Sequence, residues 1–192
     1  MKIGVLALQG DAREHLRALE SSGATPVEVK TVAQLADVDA LVLPGGESTT
    51  IGKLLDRFQL LGPLRDRANE GMPLFGTCAG LILMANEIVG DQEAPHRLGV
   101  MDIGVRRNAY GRQVDSFESE LQVSGVDGPF TAVFIRAPVI ERVGAKVEVL
   151  ATYDDTPVLV RQGDLVASSF HPEMTGDARL HAMFISMVIA GI

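Results

Sequence analysis

Residues 73–85, PLFGTCAGLILMA, contain the only cysteine of the chain, Cys78, between a strand-like apolar run and a helix-like one. Gly76 and Gly80 stand two residues before it and two residues after it. This spacing is typical of a nucleophile elbow, a sharp strand-to-helix turn that projects the nucleophile beyond the strand. Glycines are needed there because a Cβ would collide with the neighbouring strand or the first helical turn. The stretch therefore predicts a sheet with Cys78 at the tip of one strand.

The alternative interpretation of Cys78 is a small buried apolar residue, which is the commoner role of a lone cysteine. The elbow spacing directly after an apolar strand favours a nucleophile instead. A thiol at a helix N-terminus is favoured as the thiolate by the helix dipole and the unpaired N–H groups. The N–H of Ala79 would point to where an oxyanion forms.

Around this turn, the first half of the chain alternates short apolar strands with amphipathic helices, as in a parallel sheet covered by helices. We predict strands at residues 2–8 and 26–30, a strand running into a turn over 40–50, and a strand at 73–76. A helix with a capping box at Asp11 and Glu14 should end at Gly23, and another should cover 51–61. This order predicts an α/β, flavodoxin-like doubly wound sheet that binds ligands beyond the carboxyl ends of its strands.

The second half differs, because strand candidates follow one another closely at residues 98–105, 121–123, 132–135, 147–152, 158–161 and 165–170. Short turns such as QGD predict that these strands add to the main sheet as antiparallel neighbours. A last helix from about Asp177 has an apolar stripe that should pack on the sheet, formed by Leu180, Met183, Phe184, Met187 and Val188. No linker is evident, so we predict one domain over residues 1–192.

The composition disfavours several classes of function. The net charge of -8, from 17 Lys and Arg against 25 Asp and Glu, repels nucleic acids and anionic membranes. A single cysteine forms no internal disulfide, so the cytoplasm is the expected compartment. Neither the first residues, MKIGVLALQGD, nor the late stretch AMFISMVIAGI resembles a signal peptide or a membrane span.

A cysteine nucleophile needs a base, and the chain has four histidines. His15 and His181 fall on amphipathic helices and are expected to be partly exposed, and His96 falls in a proline-containing loop. His171 instead follows the strand LVASSF directly and begins the sequence His-Pro-Glu. Because the carboxyl ends of parallel strands share one edge, we expect His171 to reach the edge that holds Cys78.

Glu173 can accept the second imidazole N–H of His171, which fixes the tautomer and stabilises an imidazolium. A lone His-Pro-Glu is more often a turn at a strand end with a solvated carboxylate. Together with the elbow, it predicts a catalytic triad of Cys78, His171 and Glu173.

The sequence PGGEST, residues 44–49, follows the third predicted strand and should lie beside the elbow. Its bare glycine backbone allows the N–H of Gly46 to complete an oxyanion hole with Ala79. A phosphate-binding loop is the competing interpretation, and it ranks lower because no Lys-Ser/Thr of a Walker motif follows.

These three signatures, Gly-Thr-Cys-Ala-Gly, Pro-Gly-Gly and His-Pro-Glu, occur in an order that resembles the class I, or triad-type, glutamine amidotransferases. Four further segments are LALQGDAREH (6–15), LPGGESTT (43–50), RRNAYGRQVDSFE (106–118) and FIRAP (134–138). With them, the chain resembles over nearly its whole length the glutaminase subunits of two-component pyridoxal 5'-phosphate synthases.

That resemblance implies which residues hold L-glutamine: Gly46, Glu47, Ser48, Arg107, Ile135 and Arg136. A guanidinium is a suitable clamp for the amino-acid carboxylate, but the sequence does not decide which arginine provides it. Arg106 adjoins Arg107, and an internal ion pair is the alternative role of Arg107 and Arg136.

The implied reaction is hydrolysis of glutamine to glutamate and ammonia through a glutamyl thioester, without a metal or an organic cofactor. Ammonia would pass to a synthase subunit in a large hetero-oligomer, with pyridoxal phosphate as the product of the assembly. Contact with that partner would switch on the glutaminase, for which the Gln9-Gly10 turn is a candidate.

Three alternatives stay open at this point. The first is a glutaminase subunit of another ammonia-channelling synthase, such as imidazole glycerol phosphate synthase. The second is a cysteine hydrolase or redox sensor, although a sensor needs neither an imidazole base nor an oxyanion donor. The third is a binding module without catalysis.

Overall fold

The computed structural model describes residues 1–90, 96–107 and 116–191. Its strands are β1 (Lys2–Leu6), β2 (Thr25–Val29), β3 (Ala40–Leu43), β4 (Leu74–Thr77), β5 (Ala85–Ile88), β6 (Met101–Arg106), β7 (Phe117–Gln122), β8 (Pro129–Phe134), β9 (Val139–Val143), β10 (Glu148–Tyr153), β11 (Thr156–Gln162) and β12 (Leu165–Ser168). Its helices are α1 (Ala12–Ser21), α2 (Val32–Ala36), α3 (Ser48–Arg57), α4 (Leu61–Asn69), α5 (Ala79–Met84) and α6 (Arg179–Gly191), with a 3-10 turn at Pro172–Met174.

The main sheet has seven strands in the order β10-β11-β12-β4-β3-β1-β2. Neighbours from β2 to β12 are parallel, whereas β11 and β10 run antiparallel beside them. The predicted α/β class, a mostly parallel sheet with added antiparallel strands, is confirmed. The order β2-β1-β3-β4 is the doubly wound arrangement in which ligands bind beyond the carboxyl ends of the strands.

The prediction that all later strands join this sheet is wrong for three of them. β6, predicted over 98–105, lies in a separate three-stranded sheet with β5 and β9, and among the described residues β7 and β8 pair only with each other. The β7–β8 hairpin buries its aromatic face instead of extending the sheet edge. Phe134 of β8 stacks on Phe117 with ring centroids 4.7 Å apart and also contacts Phe170, which follows β12.

The core divides into two layers because side chains alternate along the central strands. Leu41 and Leu43 of β3 face one layer, and Val42 faces the other. In α6, the predicted apolar stripe packs on the second layer, where Phe184 is fully buried and Met183 half-buried.

Two local predictions about helices are wrong. The helix predicted over 51–61 ends at Arg57, and α4 starts after Gln59, which has a φ of 57°. The capping box of α1 is absent, because the Asp11 side chain does not bond to the helix and instead lies near His171. Within the described ranges, every helix is too short or too polar to cross a membrane.

Candidate active site

Cys78 occupies the sharp turn between β4 and α5. Its φ of 47° and ψ of -99° are strained for a residue with a side chain. A Cβ at Gly80 would lie 2.1 Å from the carbonyl oxygen of Leu43 on β3, and one at Gly76 would lie 2.7 Å from the carbonyl carbon of Gly80. The neighbouring strand and the first helical turn thus require both glycines, as predicted from the spacing. The Cys78 N–H donates to the carbonyl of Ser168, at 2.8 Å.

His171 reaches the same edge through the pairing of β4 with β12. The parallel register places Thr77 beside Ser168, so that Cys78 and His171 both follow the carboxyl ends of adjacent strands. The His171 N–H donates to the carbonyl of Val133 at 2.8 Å, which anchors the backbone of His171 to β8. The thiol of Cys78 lies 3.9 Å from the carbonyl oxygen of Ile135, and Cys78 and His171 line the same cavity.

Glu173 holds the opposite side of the imidazole. The Nδ1–H of His171 donates to Glu173 Oε1 at 2.8 Å, and both side chains are buried. Burial lowers the pKa of His171, but hydrogen bonds to Cys78 and Glu173 and the charges of both outweigh it and raise that pKa to about 10. Burial raises the pKa of Glu173, an effect that the hydrogen bond and charge of His171 oppose. A protonated His171 can donate a proton to a group bound in the cavity.

Gly45 makes room for this imidazole. A Cβ at Gly45 would lie 2.4 Å from Cε1 of His171 and 2.9 Å from Oδ2 of Asp11. The first glycine of the Pro-Gly-Gly turn is therefore required by the position of the His171 imidazole, whereas the sequence had suggested a role for this turn only in binding an oxyanion.

A cavity of about 450 Å³ opens in front of Cys78 and His171. Its lining includes all six residues expected to bind the substrate: Gly46, Glu47, Ser48, Arg107, Ile135 and Arg136. Ala79 lies just behind the wall as the first residue of α5, where its N–H has no acceptor within the helix. The space is polar on the arginine side and aliphatic at Ile135.

The three arginines near the cavity differ in their contacts. Arg106 points away and forms a two-point ion pair with Glu141, whose longer bond is 3.1 Å. Arg107 donates to the hydroxyl of Thr49 at 3.1 Å. Arg136 is exposed with a φ of 46°, and its guanidinium makes no hydrogen bond or ion pair with any described residue.

Glu47 is engaged with the protein on several sides. Its carboxylate accepts from the N–H groups of Thr49 and Thr50 and so caps α3. Burial opposes ionisation, but the hydrogen bonds from Thr50 and Thr49 outweigh it and lower the pKa of Glu47. Its own N–H donates to Oε1 of Gln9 at 2.9 Å. A ligand at this position would therefore meet the turn and the side-chain stem rather than an unoccupied carboxylate.

A family model described as the SNO glutamine amidotransferase family matches residues 5–190. The chain belongs to this family. It is 58% identical over 97% of its length to the pyridoxal 5'-phosphate synthase subunit PdxT of Frankia alni, with 94% of that protein covered. The PdxT subunit of Niallia circulans is 54% identical, with 98% of each chain covered.

Solved structures agree with the family assignment. A crystal structure of a glutamine amidotransferase has a TM-score of 0.93 and 55% identity, with 99% of both chains covered. The structure of PurLQS from Thermotoga maritima has a TM-score of 0.72 at 16% identity over 99% of this chain and 98% of its own, and shows the shared fold alone.

The cavity is also lined by residues that the sequence did not suggest as substrate contacts. Gln9, Gly10 and Asp11 line the cavity from the turn after β1, and Ile82 and Met174 line it from α5 and the 3-10 turn. The first three were detectable, because the turn after every parallel strand lies at the same edge. The middle of the family-like segment RRNAYGRQVDSFE, residues 108–115, lies outside the described residues.

The expectation that His15 and His181 are partly exposed is wrong, since both side chains are fully buried. His15 lies one helical turn before the buried Leu19, and His181 lies one turn before the buried Ile185. Because i and i+4 share a helix face, these positions belong to the apolar stripes of α1 and α6. That spacing was the available signal.

One group of metal-ligating side chains converges among the described residues: Asp11, His171 and Glu173, with ligand atoms within 4.8 Å of one another. His171 donates from Nδ1 to Glu173 and is protonated at neutral pH, because its pKa is about 10. A protonated imidazole has no lone pair for a metal ion. The arrangement therefore suits acid–base chemistry better than metal binding.

Proposed function

We propose that this chain hydrolyses L-glutamine to glutamate and ammonia, with Cys78 as nucleophile, His171 as acid and base, and Glu173 as its orienting carboxylate. The main support is that Cys78 and His171 line one cavity and that His171 is hydrogen-bonded to the buried Glu173 behind it. A thiolate and imidazolium held beside a cavity of this size suit attack on a primary amide, which is a poor electrophile.

In the proposed first half-reaction, the Cys78 thiolate attacks the side-chain amide carbon and the carbonyl becomes an oxyanion. The N–H groups of Gly46 and Ala79 are the proposed donors to that oxygen. His171 then protonates the leaving nitrogen as the C–N bond breaks, giving ammonia and a glutamyl thioester. In the second half, His171 takes a proton from water, which attacks the thioester and releases glutamate and the thiolate.

Substrate selection is assigned to the residues around the cavity. We propose that Arg136 or Arg107 pairs with the α-carboxylate, that Ile135 contacts the methylene groups, and that the Gly46–Glu47–Ser48 turn fixes the amide end. Arg136 is the stronger candidate because its guanidinium has no partner among the described residues, whereas Arg107 already donates to Thr49.

The proposed acceptor of the ammonia is the synthase subunit of a pyridoxal 5'-phosphate synthase, in a large hetero-oligomer. The names of the relatives support this, since proteins more than 50% identical over nearly the whole chain are subunits of that enzyme. Pyridoxal phosphate is then the product of the assembly rather than a cofactor of this chain. A reactive thiol and the absence of a possible internal disulfide suit the cytoplasm as the proposed compartment.

Partner contact is proposed to raise the glutaminase rate through the turn after β1. The amide of Glu47 is occupied by Gln9, and the N–H of Asp11 donates to the carbonyl of Gly45 at 3.2 Å. A partner that moves Gln9 therefore changes the Gly45–Gly46 backbone that is proposed to bind the oxyanion.

The test is glutamate release from glutamine by the wild type, Cys78→Ala and His171→Asn, each with and without a purified synthase subunit. We expect the wild type to be active with the synthase and both variants to lose at least about 1,000-fold in kcat. A Cys78→Ala variant with wild-type turnover would refute the proposal. Pyridoxal phosphate formation from glutamine in the mixture distinguishes this acceptor from other ammonia-using synthases.

A further inference from the structure

A row of buried polar side chains extends from the triad away from the cavity. It consists of His15 on α1, Thr77 at the end of β4 and His181 on α6. His15 Nε2 lies 3.1 Å from Thr77 Oγ1 and 3.4 Å from Glu173 Oε2, and His15 Nδ1 lies 2.9 Å from His181 Nε2. These three side chains take no part in the reaction derived above and do not line the cavity.

Two polar atoms, one at each end of this row, are buried without a hydrogen bond to any described residue. They are Oε2 of the neighbouring Glu173 and Nδ1 of His181. A buried carboxylate oxygen without a donor is costly, because nothing replaces the water it has lost. His15 Nε2 lies 3.4 Å from Glu173 Oε2. Whether it turns an N–H or a lone pair toward this oxygen depends on which nitrogen of His15 bears the proton.

Burial keeps both imidazoles of the row neutral at physiological pH. Burial holds the pKa of His15 well below its usual value, and the charges of His181 and His171 act in the same direction. Burial also lowers the pKa of His181, to about 4. A neutral imidazole has one N–H and one lone pair, so each ring donates from one nitrogen and accepts at the other.

Only two tautomer arrangements satisfy the 2.9 Å contact between the rings. In the first, His181 Nε2–H donates to His15 Nδ1, and His15 Nε2–H then points toward Thr77 and Glu173. In the second, His15 Nδ1–H donates to His181 Nε2, and the lone pair of His15 Nε2 faces the lone pairs of the Glu173 carboxylate. The Thr77 hydroxyl both donates and accepts, so it fits either arrangement.

Two observations favour the first arrangement. It turns the N–H of His15 Nε2, which donates to Thr77 Oγ1 at 3.1 Å, toward Glu173 Oε2 at 3.4 Å in place of a repelling lone pair. It also leaves His181 Nδ1 as an unprotonated acceptor, whereas the second leaves a buried N–H there without a partner. An unpaired buried donor is the rarer and costlier of the two.

We propose that His15 and His181 are positioning residues for the triad, with His181 fixing the tautomer in which the His15 Nε2–H donates to Thr77 and presents its positive end to the second oxygen of Glu173. This polar contact favours the ionised carboxylate, whose Oε1 accepts from His171 Nδ1. It supplies a donor without a charge, whereas a cation at residue 15 would compete with His171 for Glu173.

The charged groups around His15 and Glu173 belong to the proposed triad and to Asp11 beside it. Asp11 Oδ2 lies 3.6 Å from His171 Nδ1, and its charge acts to raise the pKa of Glu173. His171, Cys78 and His181 are the other titratable groups packed around the pair. With Asp11 favouring protonation of Glu173, loss of the His15 donor should protonate Glu173 more readily and so weaken its hold on the proton of His171.

The experiment compares donor-keeping and donor-lacking variants of the full chain: His15→Gln against His15→Leu, and His181→Gln against His181→Leu. A glutamine amide at 15 or 181 keeps a neutral N–H near the place of Nε2, and leucine removes it. His96→Leu, at a partly exposed histidine outside the row, is the matched control. The readouts are kcat and KM for glutamine with the synthase subunit, and the pH dependence of Cys78 alkylation by iodoacetamide in the chain alone.

We expect His15→Leu and His181→Leu to lower kcat about tenfold or more, with KM within about twofold, as for loss of a buried polar contact next to a charged group. The pH profile of alkylation should shift in both leucine variants, and the glutamine variants should restore most of the rate and the profile. If His15→Leu does not fold by circular dichroism, the His181 pair is decisive, because His15 stays in place.

Two results would overturn the inference. One is a folded leucine variant with the wild-type kcat and alkylation profile. The other is equal impairment of the glutamine and leucine variants with an unshifted profile, which would indicate a packing role only. The inference rests on the proposed triad, which the wild-type glutaminase rate tests separately, and the alkylation profile is readable without that activity.

Discussion

Cys78 is held in a backbone conformation that residues with side chains rarely adopt, with a φ of 47°. Such strain costs on the order of 1–3 kcal/mol and persists only where the surrounding structure determines it. Here the hydrogen bond from the Cys78 N–H to Ser168 on β12 and the two flanking glycines determine it. This turn places Cys78 in the lining of the cavity that His171 also lines, so the cost in stability has a catalytic purpose under the proposed function.

At the same scale, the hydrogen bond and charge of Glu173 act to raise the pKa of His171. Under the proposed function His171 must be protonated to release ammonia, so activity should fall as pH rises through its pKa of about 10. In Glu173→Gln the negative charge is lost, so the alkaline limb of kcat should move down by about one unit or more. The measurement is kcat between pH 6 and 11 with the synthase present. Glu141→Gln, the partner of Arg106, should leave the limb in place, and an unmoved limb in Glu173→Gln would contradict the assignment.

Arg136 is the residue we expect to bind the substrate carboxylate. Arg136→Met should raise KM about 10- to 100-fold with little change in kcat, because a charged hydrogen bond made equally in ground and transition states is lost. Steady-state kinetics at saturating synthase measure both constants. Arg106→Met, which breaks the ion pair with Glu141 outside the cavity, is the control. A larger KM effect in Arg107→Met than in Arg136→Met would reverse the assignment.

Among the secondary-structure elements, the start of α5 packs so closely against β3 that no side chain fits at Gly80. In Gly80→Ala, the Cβ would meet the backbone carbonyl of Leu43 at 2.1 Å, and a backbone atom does not move aside cheaply. We expect a loss of about 2 kcal/mol or more in the free energy of unfolding, measured in urea. Gly62→Ala in α4 is the comparison, since nothing lies within 4 Å of its added Cβ. It should be neutral or stabilising by up to about 1 kcal/mol.

Helices α1 and α6 meet at the buried pair His15–His181, and this contact should make the fold sensitive to acid. His181 binds a proton near pH 6.5 when unfolded but only near pH 4 when folded, so the unfolded state gains protons first. The free energy of unfolding should therefore decrease as the pH is lowered from about 6.5 to about 4. For His181 alone the loss between pH 7 and pH 5 is about 2 kcal/mol, and burial of His15 acts in the same direction.

Urea unfolding at pH 7 and pH 5 measures this loss in the wild type and in His181→Gln. The variant does not titrate at this position, so its stability should depend less on pH. His96→Gln should retain the wild-type dependence, and equal pH dependence in wild type and His181→Gln would contradict the role of burial.

At the scale of the whole molecule, the fold class and the placement of Cys78 and His171 at the same sheet edge were predictable, since a parallel sheet places every strand end at one edge. The elbow spacing and the apolar strand before His171 were sufficient for that. The separate β5–β6–β9 sheet and the β7–β8 hairpin were not predictable, because period-two alternation identifies a strand but not its neighbours. The burial of His15 and His181 was not predicted because histidine is a polar residue type. Their i, i+4 spacing to Leu19 and Ile185 nevertheless placed them on the apolar faces of α1 and α6.

The proposed activation of the glutaminase by the synthase subunit also belongs to this scale. It would act through Gln9, which accepts a hydrogen bond from the Glu47 amide in the turn after β3. In Gln9→Ala the hydrogen bond to the Glu47 amide is lost. The ratio of glutaminase rates with and without synthase should then fall at least several-fold. Gln122→Ala, at an exposed position of β7, should preserve the ratio. A Gln9→Ala chain with an unchanged ratio would remove Gln9 from the proposed coupling.

The insertion of β12 between β4 and β11 also sets an order of events on the ribosome. Residue 78 leaves the exit tunnel long before residue 171, so a growing polypeptide presents its thiol without the imidazole that is proposed to activate it. Until residues 165–168 emerge, one edge of β4 lacks its parallel neighbour. Under the proposed function the nascent chain therefore cannot hydrolyse glutamine, and its unpaired β4 edge is open to non-native pairing until β12 is inserted.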